Sequence, residues 1–402
     1  MSGQVHIIGM GVISALGETV SANLDALLAE RTGIGPIARL DTRHRGYLPA
    51  AEVRSENEAL AARALPADPR SWTRTALLAL IAAREAIAEA GLAPRGQRTG
   101  LISATTVGGM DSAELIYPRF FDDDAPDEVL RFLGTHDPGD HSERVARELG
   151  IEGCVTTIST ACSSSANAIM LGARLIRAGR LDVAVVGGAD ALSRFTVNGF
   201  NSLMILDDRP CTPFDRDRRG LNLGEAAAYL VIASDAYVEA HGVPTLARVS
   251  GYANTNDAFH ATASSPEGEG AFLAMQGALR RADLAPTAID HINVHGTGTL
   301  NNDASEGRAL VRLFGGSPPP FSSTKAFTGH TLGAAGAVEA VFATLAIRQG
   351  VMFANLRFTT PLEEAPTLVP VLHTREEQRI RHVLSSSFGF GGNNTSLVIS
   401  AP

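Results

Sequence analysis

Thr157-Ile158-Ser159-Thr160-Ala161-Cys162-Ser163-Ser164-Ser165-Ala166-Asn167-Ala168 reads as a strand-to-helix turn with a cysteine at its bend. Small residues flank the cysteine on both sides. A helical pattern runs on through Ile169-Met170-Leu171-Gly172-Ala173-Arg174-Leu175-Ile176. Cys162 therefore falls at or near a helix N-terminus. Unbonded backbone N–H groups and the helix dipole at such a place lower a thiol's pKa and stabilise an oxyanion. The small neighbours leave room for a substrate. A lone cysteine is more usually a small core residue, and Cys154 and Cys211, which lack this setting, are read that way.

Working outward, short apolar runs alternate with alanine-rich helical segments. Val5 to Gly9 reads as a first strand, and Trp72 to Leu92 as a helix closed by Gly91. Val183 to Gly188 reads as a buried strand, and Ala226–Ser234, Ile289–Val294 and Ser396–Ser400 look similar. This alternation predicts an α/β protein with buried sheets. At 402 residues the chain exceeds the roughly 250–300 that one core accommodates, so two core units or one duplicated unit are expected. Residues 109–149 are less regular, hold Asp122-Asp123-Asp124, and read as an insertion or cap. Gly9-Met10-Gly11 lacks the third glycine of a dinucleotide fingerprint and reads as a turn that ends the first strand.

Composition narrows the function classes. A net charge of −9 gives no general attraction to nucleic acid. Three scattered cysteines form neither a disulfide framework nor a zinc pattern, and no metal site is expected. The opening residues lack a basic region followed by an apolar stretch, and no run approaches ~20 apolar residues. A cytoplasmic protein without a membrane span is the expectation.

A nucleophilic cysteine needs partners elsewhere in the chain. Two glycine-flanked histidines stand out. His295 follows a strand in Val294-His295-Gly296-Thr297-Gly298-Thr299, and His330 lies in Lys325-Ala326-Phe327-Thr328-Gly329-His330. His291, His373 and His382 have no such setting and are read as surface or structural. Lys325 is the only lysine in the chain. Keeping one compact ammonium among many arginines points to a tight site. A buried lysine needs a carboxylate, and Glu306 is the candidate. The last loop, Ser387-Phe388-Gly389-Phe390-Gly391-Gly392-Asn393-Asn394, lets backbone approach a ligand closely, with Phe390 placed to swing as a gate.

Together these motifs resemble the elongating β-ketoacyl-[acyl carrier protein] synthases of types I and II, in the thiolase-like superfamily. The resemblance runs over nearly the whole chain, through Thr160-Ala161-Cys162-Ser163-Ser164, Pro213-Phe214-Asp215-Arg216-Asp217-Arg218, His295-Gly296-Thr297-Gly298-Thr299, Lys325 with Gly329-His330, and Phe388-Gly389-Phe390-Gly391-Gly392. It implies a duplicated fold of five layers, α/β/α/β/α, with halves 1–245 and 246–402. It implies a dimer in which the strand around Val183–Gly187 extends a sheet across the two-fold.

The resemblance also implies the chemistry. Cys162 takes an acyl group from phosphopantetheine, with the N–H groups of Cys162 and Phe390 as oxyanion hole. His295 and His330 donate hydrogen bonds to the malonyl thioester as it loses CO₂. Lys325 and Glu306 hold the charge arrangement, and Thr297 and Thr299 bind the pantetheine amides. No cofactor is implied beyond the phosphopantetheine that arrives on an acyl carrier protein. That acidic partner would dock on Arg70 and Arg74, with Arg63.

Two departures stand out: Gly224-Glu225-Ala226-Ala227 for the usual Gly-Glu-Gly-Ala, and Asn393 for a threonine. With Gly220-Leu221-Asn222-Leu223 and Gly392-Asn393-Asn394, the chain resembles ketosynthases of aryl-polyene-type pigment clusters. The alternative is a non-catalytic, chain-length-factor-like partner subunit, against which the intact Cys162, His295 and His330 speak. A homodimer and a heterodimer with such a subunit both stay open.

Overall fold

The computed structural model describes residues 3–68, 72–121 and 131–402. The long strands are β1 (Val5–Ser14), β4 (Thr99–Ala104), β5 (Val155–Ile158), β6 (Val183–Asp190), β7 (Ala226–Ser234), β8 (Ala247–Asn256), β11 (His382–Gly389) and β12 (Asn393–Ser400). Shorter ones are β9 (His291–Asn293) and β10 (Phe321–Ser322), and β2 (Gly35–Pro36) pairs with β3 (Pro49–Ala50) in a separate ribbon. The main sheet runs β10-β9-β11-β12-β8-β1-β7-β6-β4-β5.

That order is the same arrangement twice. In each half the third strand pairs the second, the second the fourth, the fourth the fifth, and the fifth the first. Directions repeat too: β4 is parallel to β5 and β6, as β9 is to β10 and β11, and the other pairings within each half are antiparallel. Among the described residues the strands of the two halves pair where His6 meets Arg248 and Ile7 meets Ala247.

Helices cover and separate the halves. Ser164–Arg177 and Ala335–Gln349 lie between them, the first following β5 and the second preceding β11. Arg74–Ala90 covers β1 and β7 from outside, and Glu269–Ala282 covers β8 and β12. The strands alternate accordingly. Ala184 and Val186 of β6 join the central core with Ile169 and Val338, whereas Val183 and Val185 join the outer core with Leu78 and Ile81. On the other half, Val383 and Leu397 face the centre while Leu384 and Val398 face Met275 and Leu279. Both faces of each sheet are buried, which is why these strands read as continuous apolar runs.

Glycine sets the closest approach in the middle layer. A Cβ on Gly336 would lie 2.8 Å from the Ala166 nitrogen, so the first turns of the two central helices touch there. This contact draws together the segments that precede each helix, and those segments carry Cys162 and His330.

Three expectations change. Gly9-Met10-Gly11 is not a turn, because β1 continues to Ser14. Its glycines exist for packing: a Cβ on Gly9 would lie 2.2 Å from the Ala86 carbonyl oxygen, and one on Gly11 2.1 Å from that of Ala82. The 109–149 segment is not all irregular. Pro138–Leu149 is a regular helix, N-capped by Asp137, that packs on Arg74–Ala90 and β5, while Asp122-Asp123-Asp124 lies outside the described residues. The strand at Val183–Gly187 cannot extend the sheet, because β6 is paired on both sides, with β4 and β7. The free edge on that side is β5.

Candidate active site

Cys162 sits between β5 and Ser164–Arg177, at a bend that costs backbone strain. Ala161 holds φ +51°, a region L-residues rarely adopt. Ser164 Oγ ties the bend, accepting from the Thr160 N–H at 2.8 Å and donating to the Ala161 carbonyl at 2.5 Å. Cys162 is buried, 6% exposed as a residue. Burial pushes its thiol up to about 11, against the pull of the Lys325 charge and of the N–H groups of Phe390 and Cys162 directed at the sulfur. The helix terminus expected to lower this thiol is thus outweighed by desolvation.

His295 follows β9 on a tight loop that Glu306 organises. One carboxylate oxygen of Glu306 accepts the His295 N–H and the other the Gly296 N–H, both at 2.8 Å. Burial raises Glu306 to about 8 in spite of these donors. Asp303, one turn earlier on the same helix, accepts the Gly298 N–H at 3.2 Å and the Phe214 N–H at 2.7 Å. Glu306 is therefore not the partner of Lys325, as the sequence had suggested. It holds the histidine loop.

Lys325, 2% exposed, forms a close ion pair with Glu339. Glu339 is fixed in turn by Ser387 Oγ, which donates to its other oxygen at 3.2 Å. Glu339 is the missed residue. Its sequence signal was there: it is the lone carboxylate in the otherwise apolar helix Ala-Gly-Ala-Val-Glu-Ala-Val-Phe at 335–342.

The two imidazoles meet edge to face, with ring centres 5.4 Å apart. Burial first, and then the Lys325 charge, hold both well below the usual imidazole range, so both are neutral at pH 7. His330 Nδ1 accepts the Leu332 N–H at 3.3 Å, which leaves its hydrogen on Nε2.

Cys162, His295, His330, Thr297, Thr299 and Phe390 all line one cleft of about 230 Å³. The threonine hydroxyls bond each other at 2.9 Å. A second, apolar cavity of about 360 Å³ also reaches Cys162, lined by Val107, Phe195, Leu203 and Leu332. Phe390 and Phe200 border both cavities and stack with centres 5.7 Å apart. Phe200 was not foreseen, since nothing local marks it.

Two domain families match the chain: "Beta-ketoacyl synthase, N-terminal domain" over residues 2–236 and "Beta-ketoacyl synthase, C-terminal domain" over 246–359. The chain belongs to the β-ketoacyl synthases. It is 32% identical over 407 residues to the 3-oxoacyl-[acyl-carrier-protein] synthase 2 of Staphylococcus aureus strain COL, covering 98% of this chain and 97% of that one. The corresponding synthase of Coxiella burnetii is 34% identical over 416 residues, covering 99% and 98%. Among solved structures, the ishigamide ketosynthase/chain length factor superposes with a TM-score of 0.92 at 32% identity, covering all of both chains. A ketosynthase in complex with its chain length factor from Xenorhabdus doucetiae gives 0.85 at 33%, covering 100% and 98%.

This ketosynthase is an acyltransferase of fatty-acid or polyketide chain elongation with the five-layered, thiolase-like α/β fold. No helix among its described residues is long and apolar enough to cross a membrane. Of the arginines expected to dock a carrier, Arg74 is buried. Its guanidinium bonds both oxygens of Glu225 at 2.7–3.0 Å and the Val53 carbonyl at 2.8 Å, which makes it a structural residue of the ketosynthase. Arg63 is partly exposed and paired with Glu18 at 2.6 Å, and Arg70 lies outside the described residues. Cys154 is exposed and Cys211 buried beside the Lys325 carbonyl, both away from the cleft's lining.

Proposed function

We propose that Cys162 carries the growing acyl group and that His295 and His330 drive decarboxylation of a malonyl-carrier thioester to give a 3-oxoacyl-carrier product. The observation that carries this reading is one cleft holding a thiol, two neutral imidazoles and two backbone N–H groups aimed at the sulfur. In acyl transfer, the Cys162 sulfur bonds the thioester carbon and the bond to the pantetheine sulfur breaks. The thiol proton ends on the departing pantetheine sulfur. The carbonyl oxygen becomes an oxyanion between the Phe390 and Cys162 N–H groups.

In the second half, neutral histidines donate N–H bonds to the malonyl thioester oxygen. Loss of CO₂ leaves the electron pair as an enolate, which attacks the acyl carbon and releases the Cys162 sulfur. Burial, and after it the Lys325 charge, keeps the imidazoles neutral; the same charge, held in place by Glu339, opposes the thiol's desolvation, while Glu306 sets the His295 loop. Thr297 and Thr299 suit the pantetheine amides, and the apolar cavity suits the acyl chain, with Phe390 between them as a gate.

The repeated strand order supports halves at 1–245 and 246–402. The unpaired edge of β5 is the place for a second subunit, and ketosynthase/chain length factor pairs among the solved relatives favour a heterodimer beside the homodimer. The finer reading, a polyene-type pathway in a cytoplasmic setting, rests on Gly220-Leu221-Asn222-Leu223 and Gly392-Asn393-Asn394. A non-catalytic subunit would have no use for the assembled thiol and imidazoles. The test is turnover of acyl- and malonyl-carrier proteins by the protein alone and co-expressed with a chain-length-factor-like subunit: a 3-oxoacyl product that disappears in Cys162→Ala supports the reading, and none from the parent in either form overturns it.

A further inference from the structure

Behind the nucleophile, one side chain ties the last glycine loop to the cysteine's helix. Asn393 follows Gly392 and opens β12. Its carboxamide oxygen accepts from Ser163 Oγ at 2.7 Å, from Asn167 Nδ2 at 3.0 Å and from Asn254 Nδ2 at 2.7 Å. Ser163 is the residue after the nucleophile, and Asn167 lies one turn into its helix. Thr395, also on β12, donates to Asn167 Oδ1 at 2.8 Å, which doubles the tie.

The other end of the loop meets the same bend. A Cβ on Gly389 would lie 3.1 Å from the Cys162 nitrogen and 3.0 Å from the Thr160 carbonyl oxygen. Phe390 hangs between these two anchors. Its outer neighbours are held from a different element: the Gly391 N–H donates to the Ala261 carbonyl at 2.7 Å, and Asn256 Nδ2 donates to the Gly391 carbonyl at 2.9 Å. The Gly389 contact is steric and only limits approach from one side. The Asn393 oxygen is the polar anchor that connects the loop to the nucleophile's own helix.

We propose that Asn393 is a positioning residue whose side-chain oxygen fixes the Phe390 N–H against Cys162 and so keeps the two-donor oxyanion site assembled. This rests on the functional reading above. An oxyanion donor acts only when it sits close to where charge develops, and small displacements of preorganised groups cost large factors in rate. The histidines stand on other elements, after β9 and before Ala335–Gln349, and no described hydrogen bond joins either to Asn393. Loss of the anchor should therefore fall on acyl transfer more than on decarboxylation.

The experiment uses the full-length protein and its Asn393→Ala and Asn393→Asp variants. Acylation of Cys162 by acyl-pantetheine is followed by intact-protein mass spectrometry, CO₂ release from malonyl-carrier is measured separately, and each variant's melting temperature is recorded. For Asn393→Ala the expectation is a fall in the acylation kcat of about 10–100-fold, below the loss of a whole donor, with KM little changed and CO₂ release falling clearly less than acylation does. Asn393→Asp keeps an acceptor oxygen and should acylate faster than Asn393→Ala. Equal loss in both half-reactions, or parent-like acylation in Asn393→Ala, overturns the proposal while leaving the Cys162 assignment standing. A parent protein that never acylates Cys162 overturns both.

Discussion

At Cys162, desolvation and charge pull the thiol in opposite directions, and desolvation prevails. Alkylation by iodoacetamide should therefore rise with pH toward a midpoint of about 11, since the thiolate is the reacting form. Lys325→Met removes the opposing charge and should move that midpoint higher; a midpoint below the ordinary thiol value would contradict this. The buried pair makes a second prediction. Breaking such a pair from one side costs about 3–5 kcal/mol, so Glu339→Gln should destabilise the protein strongly and abolish condensation. Glu306→Gln should act differently. Its carboxyl is raised by burial from 4.5 to about 8, so it contributes stability that is full below 4.5 and is lost as pH rises through about 8. Urea denaturation across that range should show a pH slope that Glu306→Gln flattens, and an unchanged slope would count against it. The lone Lys325 announced a tight site in the sequence. Its partner was misread because sequence alone does not show that Glu306 is taken up by the His295 loop while the packing of Ala335–Gln349 brings Glu339 to the lysine.

At the scale of elements, boundaries followed local chemistry where local chemistry was decisive. The helix expected over Trp72–Leu92 runs Arg74–Ala90, with Thr73 accepting the Ala76 N–H and Gly91 at φ +60° closing it. β7 spans the residues its apolar run marked. What failed was anything set by a distant neighbour. Gly9 and Gly11 read as a turn because a glycine's need for a turn and its need for a close helix look alike in sequence. Arg74 read as a docking residue because the resemblance implies an acidic carrier that needs a basic patch, whereas here Glu225 lies beneath it. Arg74→Ala should lower stability by about 3–5 kcal/mol, the scale of stranding a buried partner. In the folded fraction it should leave KM for carrier-bound substrate unchanged. A raised KM with unchanged melting would restore the docking role.

For the whole molecule, the duplication explains why one cleft can hold parts from both halves. The nucleophile comes from the turn after β5, His330 from the turn before the matching central helix, and His295 from the end of β9, so neither half alone completes the site. The motifs of this site were legible because loop chemistry is local. The free edge was not, because strand order is a property of the sheet. β5 is the edge at which a second subunit would add its own strand. Thr156→Asp, which puts like charges near one another across a two-fold, should dissociate a homodimer in sedimentation, and an unchanged mass would place the interface elsewhere.

The division of labour in the cleft is tested most directly by separating its half-reactions. In Cys162→Ala the account predicts no covalent acyl adduct by mass spectrometry and persistent CO₂ release from malonyl-carrier. In His295→Ala and His330→Ala it predicts Cys162 acylation near the parent level and decarboxylation lower by about 10²-fold or more, the scale of one lost electrostatic donor. Acyl uptake by Cys162→Ala at the parent's stoichiometry, or parent-rate decarboxylation by both histidine variants, would contradict it.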